Sequence, residues 1–414
     1  MSQTHDIEVV RRLASTYAQI AAKPIQQERR NLWAAHHSLK PTHTLIAIRF
    51  GMHNLWCREL FNENTLECED PFFRTHERNL RMAIFQDSLG DDVIQEPWIT
   101  QNVTVKGSPL APWGLKLNYE RTGMDGGAYK IDPPLKDYAD LDKITPVMHE
   151  IDREKTALNV ERLSEAVDGI LPVDVMCQPF YSRFHGDIST FLARTRGLEA
   201  MMMDMCDHPD ELHQLLSIMR DGILADHAAA EEAGDLSLTS QFNQSMPYAE
   251  ELERPRANSG PRQRKDLWGF GAAQELAQVS PRMHDEFMFQ YQMPILEKFG
   301  LVHYGCCENL TQKIGMLRQL KNLRSIAVTP SADVAKSAEL IGKDYVMAWR
   351  PSPTDMVCCG WDEGRVGRIL KDSLEKMKGC YVHIHLKDVE TLEGDYNRLR
   401  RWVEVARDVC EQFS

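Results

Sequence analysis

Four side chains that can do chemistry follow one another closely in residues 303–308: His303, Cys306, Cys307 and Glu308. Thiolate, imidazole and carboxylate are ligands of zinc, and a catalytic zinc typically keeps three protein ligands and one open position. Soft and borderline ligands seldom crowd together without a metal. The pattern therefore predicts a zinc site with His303, Cys306 and Cys307 as ligands. The alternative is that both cysteines are small buried hydrophobes and that His303 is a core histidine.

A second polar pattern lies on a strand predicted over residues 381–386. His383, His385 and Lys387 alternate with Ile384 and Leu386, and successive side chains of a strand point to opposite faces. We interpret the polar face as the lining of a pocket, in which His385 completes the metal shell and His383 binds substrate. The alternative is that this face of the strand is exposed to solvent.

Further catalytic and substrate-binding residues are predicted where strands end. Lys387 and Asp388 follow the last strand and, with Glu308, are predicted to anchor substrate and steer a proton transfer. Arg350 follows a strand near residues 345–348 and suits a carboxylate or a phosphate. The alternative for Arg350 is a rim charge paired with an acidic neighbour.

Arg183 and His185 follow a strand predicted over residues 171–177 and are assigned to substrate binding. Ordinary loop residues are the alternative, although functional side chains are common on such loops.

The predicted elements that position these residues alternate between strands and helices. Strands are predicted near residues 45, 95, 173 and 238 and over 301–304, 324–328, 345–348 and 381–386, with helices over 310–320, 333–341 and 363–377 between the last four. Single helices between strands are typical of parallel sheets with right-handed crossovers. About eight strands favour an α/β fold of the (β/α)8 TIM-barrel type over an open sheet. We expect one domain over 1–414, with a helical N-terminal extension over 1–42, a helix over 72–89, hairpins or a loop in 106–134 and a long helix from Pro281.

Composition narrows the class of protein. The chain has 414 residues, 43% hydrophobic content and a net charge of −13, which argues against nucleic acid as a partner. Ten cysteines without a secretory leader indicate a cytoplasmic protein with free thiols. No apolar run approaches the roughly 20 residues of a membrane span, so no membrane contact is expected.

Three motifs carry a resemblance to a known family: Trp268-Gly269-Phe270, the sequence YGCCE at 304–308, and Leu386-Lys387-Asp388 with Trp402 downstream. Over about residues 150–410 the chain resembles the uroporphyrinogen decarboxylase-like superfamily. That superfamily includes corrinoid- and folate-linked zinc methyltransferases and cobalamin-independent methionine synthase.

The resemblance implies a zinc that activates a thiol acceptor. The methyltransferases carry a His-x-Cys pair after the fifth strand and a further cysteine near the last strand; here His303 and Cys306-Cys307 occupy the first region, with altered spacing. No cysteine follows the strand at 381–386, so His385 or Glu390 would replace it. The Arg-Gln-Ala-Gly-Arg signature with which uroporphyrinogen decarboxylases bind substrate carboxylates is absent.

Three functions follow as hypotheses. The first is a zinc-dependent methyltransferase acting on a small thiol, with a corrinoid-binding partner protein (cobalamin) or folate as methyl donor. The second is a metal-independent decarboxylase of a polycarboxylate, in which Arg183, Arg350 and Lys387 bind acid groups. The third is a non-catalytic protein that binds a tetrapyrrole or corrinoid. A monomer or a homodimer is expected.

Overall fold

Helices dominate the structure by length. A computed structural model describes residues 2–48, 55–123, 127–182 and 187–413. Its α-helices are α1 (Ser2–Ala21), α2 (Pro24–His37), α3 (Pro71–Asp87), α4 (Arg153–Val167), α5 (Ile188–Thr195), α6 (Leu198–Asp207), α7 (Pro209–Glu232), α8 (Pro281–His284), α9 (Gln290–Leu296), α10 (Ile314–Leu317), α11 (Val334–Ile341), α12 (Glu363–Lys376) and α13 (Asn397–Glu411).

The strands are short, and most of them run parallel. They are β1 (Leu45–Ile48), β2 (Ile99–Asn102), β3 (Asn118–Arg121), β4 (Tyr129–Asp132), β5 (Val173–Met176), β6 (Trp268–Gly271), β7 (Leu301–Tyr304), β8 (Leu323–Val328), β9 (Val346–Trp349) and β10 (Tyr381–Leu386). Six of them form a parallel sheet in the order β1-β10-β9-β8-β7-β6. β2 and β5 form a separate parallel pair, and β3 and β4 form an antiparallel hairpin.

The α/β class is confirmed, and closure into a barrel stays a prediction. Within the described ranges, no strand ladder joins the six-stranded sheet to the β2-β5 pair. The outer edge of β1 is instead covered by carboxylates: Asp92 Oδ2 accepts the N–H of Ile46 at 2.7 Å, and Asp91 Oδ2 accepts that of Ile48 at 2.9 Å. These two side chains satisfy backbone donors that a neighbouring strand would otherwise take.

The number of parallel strands agrees with the prediction, but one member differs. Residues 236–240, predicted as a strand, contain an isolated antiparallel bridge from Ser237 to Pro261 and a 3-10 turn at Leu238–Ser240, whereas Trp268–Gly271 forms β6. The two glycines of β6 hide its strand character, because they contribute no side chains to an alternating pattern. They are needed for close packing: a Cβ on Gly269 would lie 2.7 Å from Phe299 Cγ.

Most predicted helices are confirmed, with two differences. The helix expected from Pro281 is interrupted by a π-helical turn at Asp285–Phe289, and the helix expected over 310–320 shrinks to α10. The N-terminal pair α1 and α2 forms as predicted, with Pro24 in the first turn of α2. None of the described helices is both long and apolar enough to cross a bilayer.

The main sheet buries an apolar face and a polar face. On β7, β9 and β10 the side chains of one face join the main hydrophobic cluster: Val302, Tyr304, Met347, Trp349, Ile384 and Leu386. The other face carries apolar residues at the start of β7 and on β9 (Leu301, Val346 and Ala348), but polar residues that are also buried follow on β7, after β9 and along β10: His303, Arg350, His383, His385 and Lys387. Buried polar groups need partners to offset their desolvation. Those partners define the candidate site.

Candidate functional site

A tight turn after β7 presents the two adjacent thiols. Gly305 has φ +105°, a conformation that residues with a Cβ rarely adopt. A Cβ there would also lie 2.5 Å from Leu310 Cδ1. Glu308 holds the turn closed, because its two carboxylate oxygens accept the backbone N–H groups of Ala273 at 2.9 Å and of Cys306 at 2.8 Å. The local turn and one contact to Ala273, which follows β6, therefore fix where both sulfurs lie.

The two sulfurs form a charged cluster with residues that follow β10. Cys306 Sγ and Cys307 Sγ are 3.6 Å apart, and Lys387 Nζ lies 3.5 Å from each. Asp388 Oδ2 is 4.0 Å from Cys307 Sγ and 3.2 Å from Lys387 Nζ. An ammonium group in this position stabilises negative charge on either sulfur.

Arg350, which follows β9, binds the turn through its guanidinium group. One of its Nη atoms donates to the carbonyl of Cys306, and the other donates to Gln244 Oε1 at 2.5 Å and lies 3.3 Å from His303 Nε2. Gln244 and Asp388 both have positive φ, at +64° and +57°. Such backbone strain in a non-glycine residue persists only when its surroundings enforce it, and it is concentrated at functional sites.

A small cavity of about 60 Å³ opens above this cluster. Its lining includes five of the residues assigned from the sequence, together with a threonine and three prolines: Cys306, Cys307, Arg350, Lys387, Asp388, Thr329, Pro330, Pro351 and Pro353. All of them follow β7, β8, β9 or β10, so the cavity lies at the carboxyl ends of the parallel strands. This is the end at which α/β proteins with parallel sheets place their ligands.

The thiol pair shares its protons unequally. A hydrogen bond from Cys307, followed by the positive charges of Lys387 and Arg350, lowers the pKa of Cys306 to about 6 despite burial. The same contact with Cys306, together with burial, raises the pKa of Cys307. At neutral pH the pair therefore holds one thiolate, on Cys306, and one thiol. A thiolate is the reactive and metal-binding form of cysteine.

His303 lies behind Arg350. Its Nδ1 is 3.0 Å from Ser325 Oγ, and its Nε2 is 3.1 Å from the carbonyl of Gly305. Burial, and then the charge of Arg350, lower the pKa of His303 well below the usual value, so the ring is neutral. Both ring nitrogens are thus engaged by neighbours other than the two sulfurs. His385, further down β10, is fully buried.

A separate group of three histidines joins the end of α2 to the first half of β10. His36 and His37 end α2, and His383 pairs in register with Leu45, the first residue of β1. One ring nitrogen from each of the three lies within 4.8 Å of the other two. The geometry is that of a group able to hold a metal ion. In the part of the chain that the structure describes, His303, Cys306, Cys307 and His385 do not converge in this way.

The structure thus separates the predicted site residues. Cys306, Cys307, Arg350, Lys387 and Asp388 come together at one cavity, and Glu308 braces the turn beneath them. His383 is the third of the six residues of β10 and does not line that cavity. The roles assigned to all of these side chains stay predictions. Arg183 and His185 lie outside the described residues.

Three residues of these groups were missed by the sequence analysis: Gln244, His36 and His37. Gln244 lies in an irregular segment with no motif to mark it. The adjacent histidines at the end of α2 were visible as a pair, but a helix in an N-terminal extension is not where a partner for the last strand is expected.

Comparison with known proteins adds little. No protein-family model matches the chain, and no curated protein is similar to it in sequence. One solved structure that it resembles is a methyltransferase from Methanosarcina mazei, with 13% sequence identity and a TM-score of 0.49. The likeness covers 92% of this chain and 98% of that one. The resemblance to the uroporphyrinogen decarboxylase-like superfamily stays a prediction.

Proposed function

We propose that the chain is a methyltransferase that activates a thiol acceptor at the Cys306-Cys307 pair, with zinc as the metal held there. The observation that carries the proposal is the pair itself: two sulfurs 3.6 Å apart, each 3.5 Å from the ammonium group of Lys387, at a cavity beyond the carboxyl ends of parallel strands. The methyl donor, a corrinoid protein or folate, remains an expectation from the sequence.

The spacing of the sulfurs fits a shared zinc ion. Two thiolates on one tetrahedral zinc, each with a Zn–S distance of about 2.3 Å, are roughly 3.8 Å apart. Asp388 supplies a carboxylate beside Cys307, whereas His303 would have to leave Ser325 and Gly305 to take part. The ammonium group of Lys387 lies 3.5 Å from both sulfurs and would repel a divalent cation bound to them. Cys306 and Cys307, with Asp388 beside Cys307, are the residues that would hold the metal, and among the described residues these three converge less closely than the three histidines of α2 and β10 do.

Zinc, when bound, would lower the pKa of an acceptor thiol so that it reacts as a thiolate. The chain's own residues prepare the site for that step. Glu308 and Arg350 hold the turn that carries the sulfurs, and the hydrogen bond from Cys307 together with the charges of Lys387 and Arg350 lowers the pKa of Cys306. The cavity of about 60 Å³ holds little more than two water molecules by volume. It suits the reacting end of a small thiol.

The same cations favour a second candidate, the metal-independent decarboxylase. Arg350 and Lys387 line one cavity and would stabilise the negative charge that develops as a carboxylate leaves. Here the Cys306 thiolate would have no role as a ligand, and no metal would be required.

The two candidates are separated by an assay of methyl transfer. Methylcobalamin or methyltetrahydrofolate is supplied with a small thiol, and the methylated thiol is measured by mass spectrometry. Cys306→Ser and Cys307→Ser are each expected to lower the rate by about 100-fold or more, since residues that activate a nucleophile act as a unit. Cys359→Ser is the matched control, because Cys359 is an exposed cysteine outside the cavity.

Two results would contradict the proposal. One is full methyl transfer by Cys306→Ser. The other is equal zinc content in the wild-type chain and in the double variant Cys306→Ser/Cys307→Ser. Release of carbon dioxide from a polycarboxylate by metal-free protein would support the decarboxylase. A spectral change with a tetrapyrrole but no turnover would support the binding protein.

A further inference from the structure

We propose that His36, His37 and His383 bind a structural zinc ion that fastens helix α2 to strand β10 of the parallel sheet. This site is separate from the sulfur pair and has no part in the proposed methyl transfer. It would take a divalent cation with a preference for imidazole, of which zinc is the commonest in structural sites.

The three imidazoles are arranged as ligands of one ion. One nitrogen from each ring lies within 4.8 Å of the others, and His36 Nε2 is 3.0 Å from His383 Nδ1. Two nitrogens on one tetrahedral zinc, at Zn–N distances of about 2.0–2.1 Å, are roughly 3.3 Å apart. The ring nitrogens of His36 and His383 are therefore already close to the spacing that a shared ion requires.

His37 has the outer contact that is typical of a metal-binding histidine. Its Nδ1 lies 2.9 Å from the carbonyl of Tyr248, a group that can only accept a hydrogen bond. Nδ1 therefore carries the proton, and Nε2 keeps its lone pair. That nitrogen is 3.3 Å from Ser245 Oγ, which also lies 3.3 Å from Asn243 Oδ1. A donated N–H to a backbone carbonyl is the usual way in which proteins orient a ligating imidazole.

The surroundings keep the three rings neutral, which is the state that binds metal. All three are at most 1% exposed. A charged imidazole would be costly in so dry a site.

The nearest charges are compatible with a cation. Arg324 donates to the carbonyl of His37, and its charge is balanced by Glu251 at 2.7 Å. The rings of Trp33 and Trp268 pack against His37 at centroid distances of 5.3 and 5.2 Å. These rings shield the group from solvent, so the ion would enter as the chain folds.

The consequence is a crosslink between distant parts of the chain. His36 and His383 are 347 residues apart in sequence, and an ion that joins them closes a long loop and stabilises only the folded state. Loss of the ion should therefore lower stability without changing the chemistry at the sulfurs.

The test measures zinc in the double variant Cys306→Ser/Cys307→Ser, which lacks the sulfur site. We expect about one zinc per chain to remain. X-ray absorption at the zinc edge should show nitrogen and oxygen neighbours and no sulfur. Removal of zinc with a chelator should lower the Tm of this variant by several degrees. This measurement needs no histidine variant, so it decides the matter even if such variants fail to fold.

Histidine variants in the same double-variant background complete the test. His37→Gln and His383→Asn should each abolish the bound zinc and the effect of the chelator on Tm. His76→Gln is the control, because His76 is also buried and bonded to a side chain, that of Gln101. A folded double variant that contains no zinc would overturn the proposal, as would zinc retained in full by His37→Gln. Equal zinc in the wild-type chain and the double variant would refute zinc at the sulfurs and leave the histidine site standing.

Discussion

The two ends of the buried polar face differ in charge and in access. At the carboxyl ends of the strands, Cys306, Cys307, Arg350 and Lys387 combine charged groups with a cavity. Between the end of α2 and the first half of β10, His36, His37 and His383 form a neutral group that is almost wholly buried. The same face of the sheet thus carries a charged group suited to catalysis and a neutral, buried group suited to a structural role.

The opposite pKa shifts at the two ends share one physical principle. The hydrogen bond from Cys307, and then the charges of Lys387 and Arg350, lower the pKa of Cys306 to about 6, which favours its thiolate at neutral pH. Imidazoles that are buried together lose basicity, so the histidines remain uncharged. Three variants test whether the two ends are as independent as this comparison implies.

Glu308→Gln should have the largest effect, and it should act at the sulfur end alone. The amide places an NH₂ group against one of the two backbone N–H donors, which leaves buried donors unpaired. We expect a loss of about 2–3 kcal/mol in the free energy of unfolding, the usual cost of losing a charge-assisted hydrogen bond in the interior. Urea denaturation measures it, with the exposed Glu297→Gln as control. Unchanged stability would mean that Glu308 does not brace the turn.

His37→Gln should change the pH dependence of stability at the histidine end. Because the pKa of His37 falls to about 4 in the folded chain, the neutral ring favours folding above its ordinary pKa of 6.5. That contribution is lost as the pH falls toward 4. In zinc-free protein it amounts to about 2 kcal/mol between pH 7 and pH 5.

The measurement compares urea denaturation of the zinc-free wild type and His37→Gln at pH 7 and pH 5. Burial raises the pKa values of Asp91 and Asp187 to about 7, so these two groups increase the stability of the folded chain as the pH falls. They are present in both proteins, so their effect cancels in the difference. If the free energy of unfolding changed equally between pH 7 and pH 5 in the two proteins, His37 would not be held neutral.

Lys387→Met should have the smallest effect, again at the sulfur end only. Loss of the ammonium group should raise the pH midpoint of Cys306 alkylation from about 6 to about 7 in chelator-treated protein. The rate of carboxymethylation against pH, followed by peptide mass spectrometry, measures it. The exposed Lys378→Met is the control. An unmoved midpoint would leave Cys307 and Arg350 as the source of the Cys306 thiolate.

Predictions from the sequence worked best where side chains alternate locally. β10 was placed over residues 381–386 as observed, because Ile384 and Leu386 alternate with His383 and His385. β6 was missed because two of its four residues are glycine. The residues around Leu238 look like a strand, yet the N–H of Ser237 bonds to Cys177 and the carbonyl of Leu236 to Arg262, which are loop segments.

The amino acid sequence alone determined which side chains of β10 share a face and that two cysteines follow β7 directly, since both are features of neighbouring residues. Only the tertiary structure decided that Lys387 meets those sulfurs and that His383 meets His36 and His37. Contacts between residues far apart in sequence depend on strand order, register and the packing of α2 beneath the sheet. A local pattern cannot specify these, because the free energy that selects them comes from the burial of the whole core.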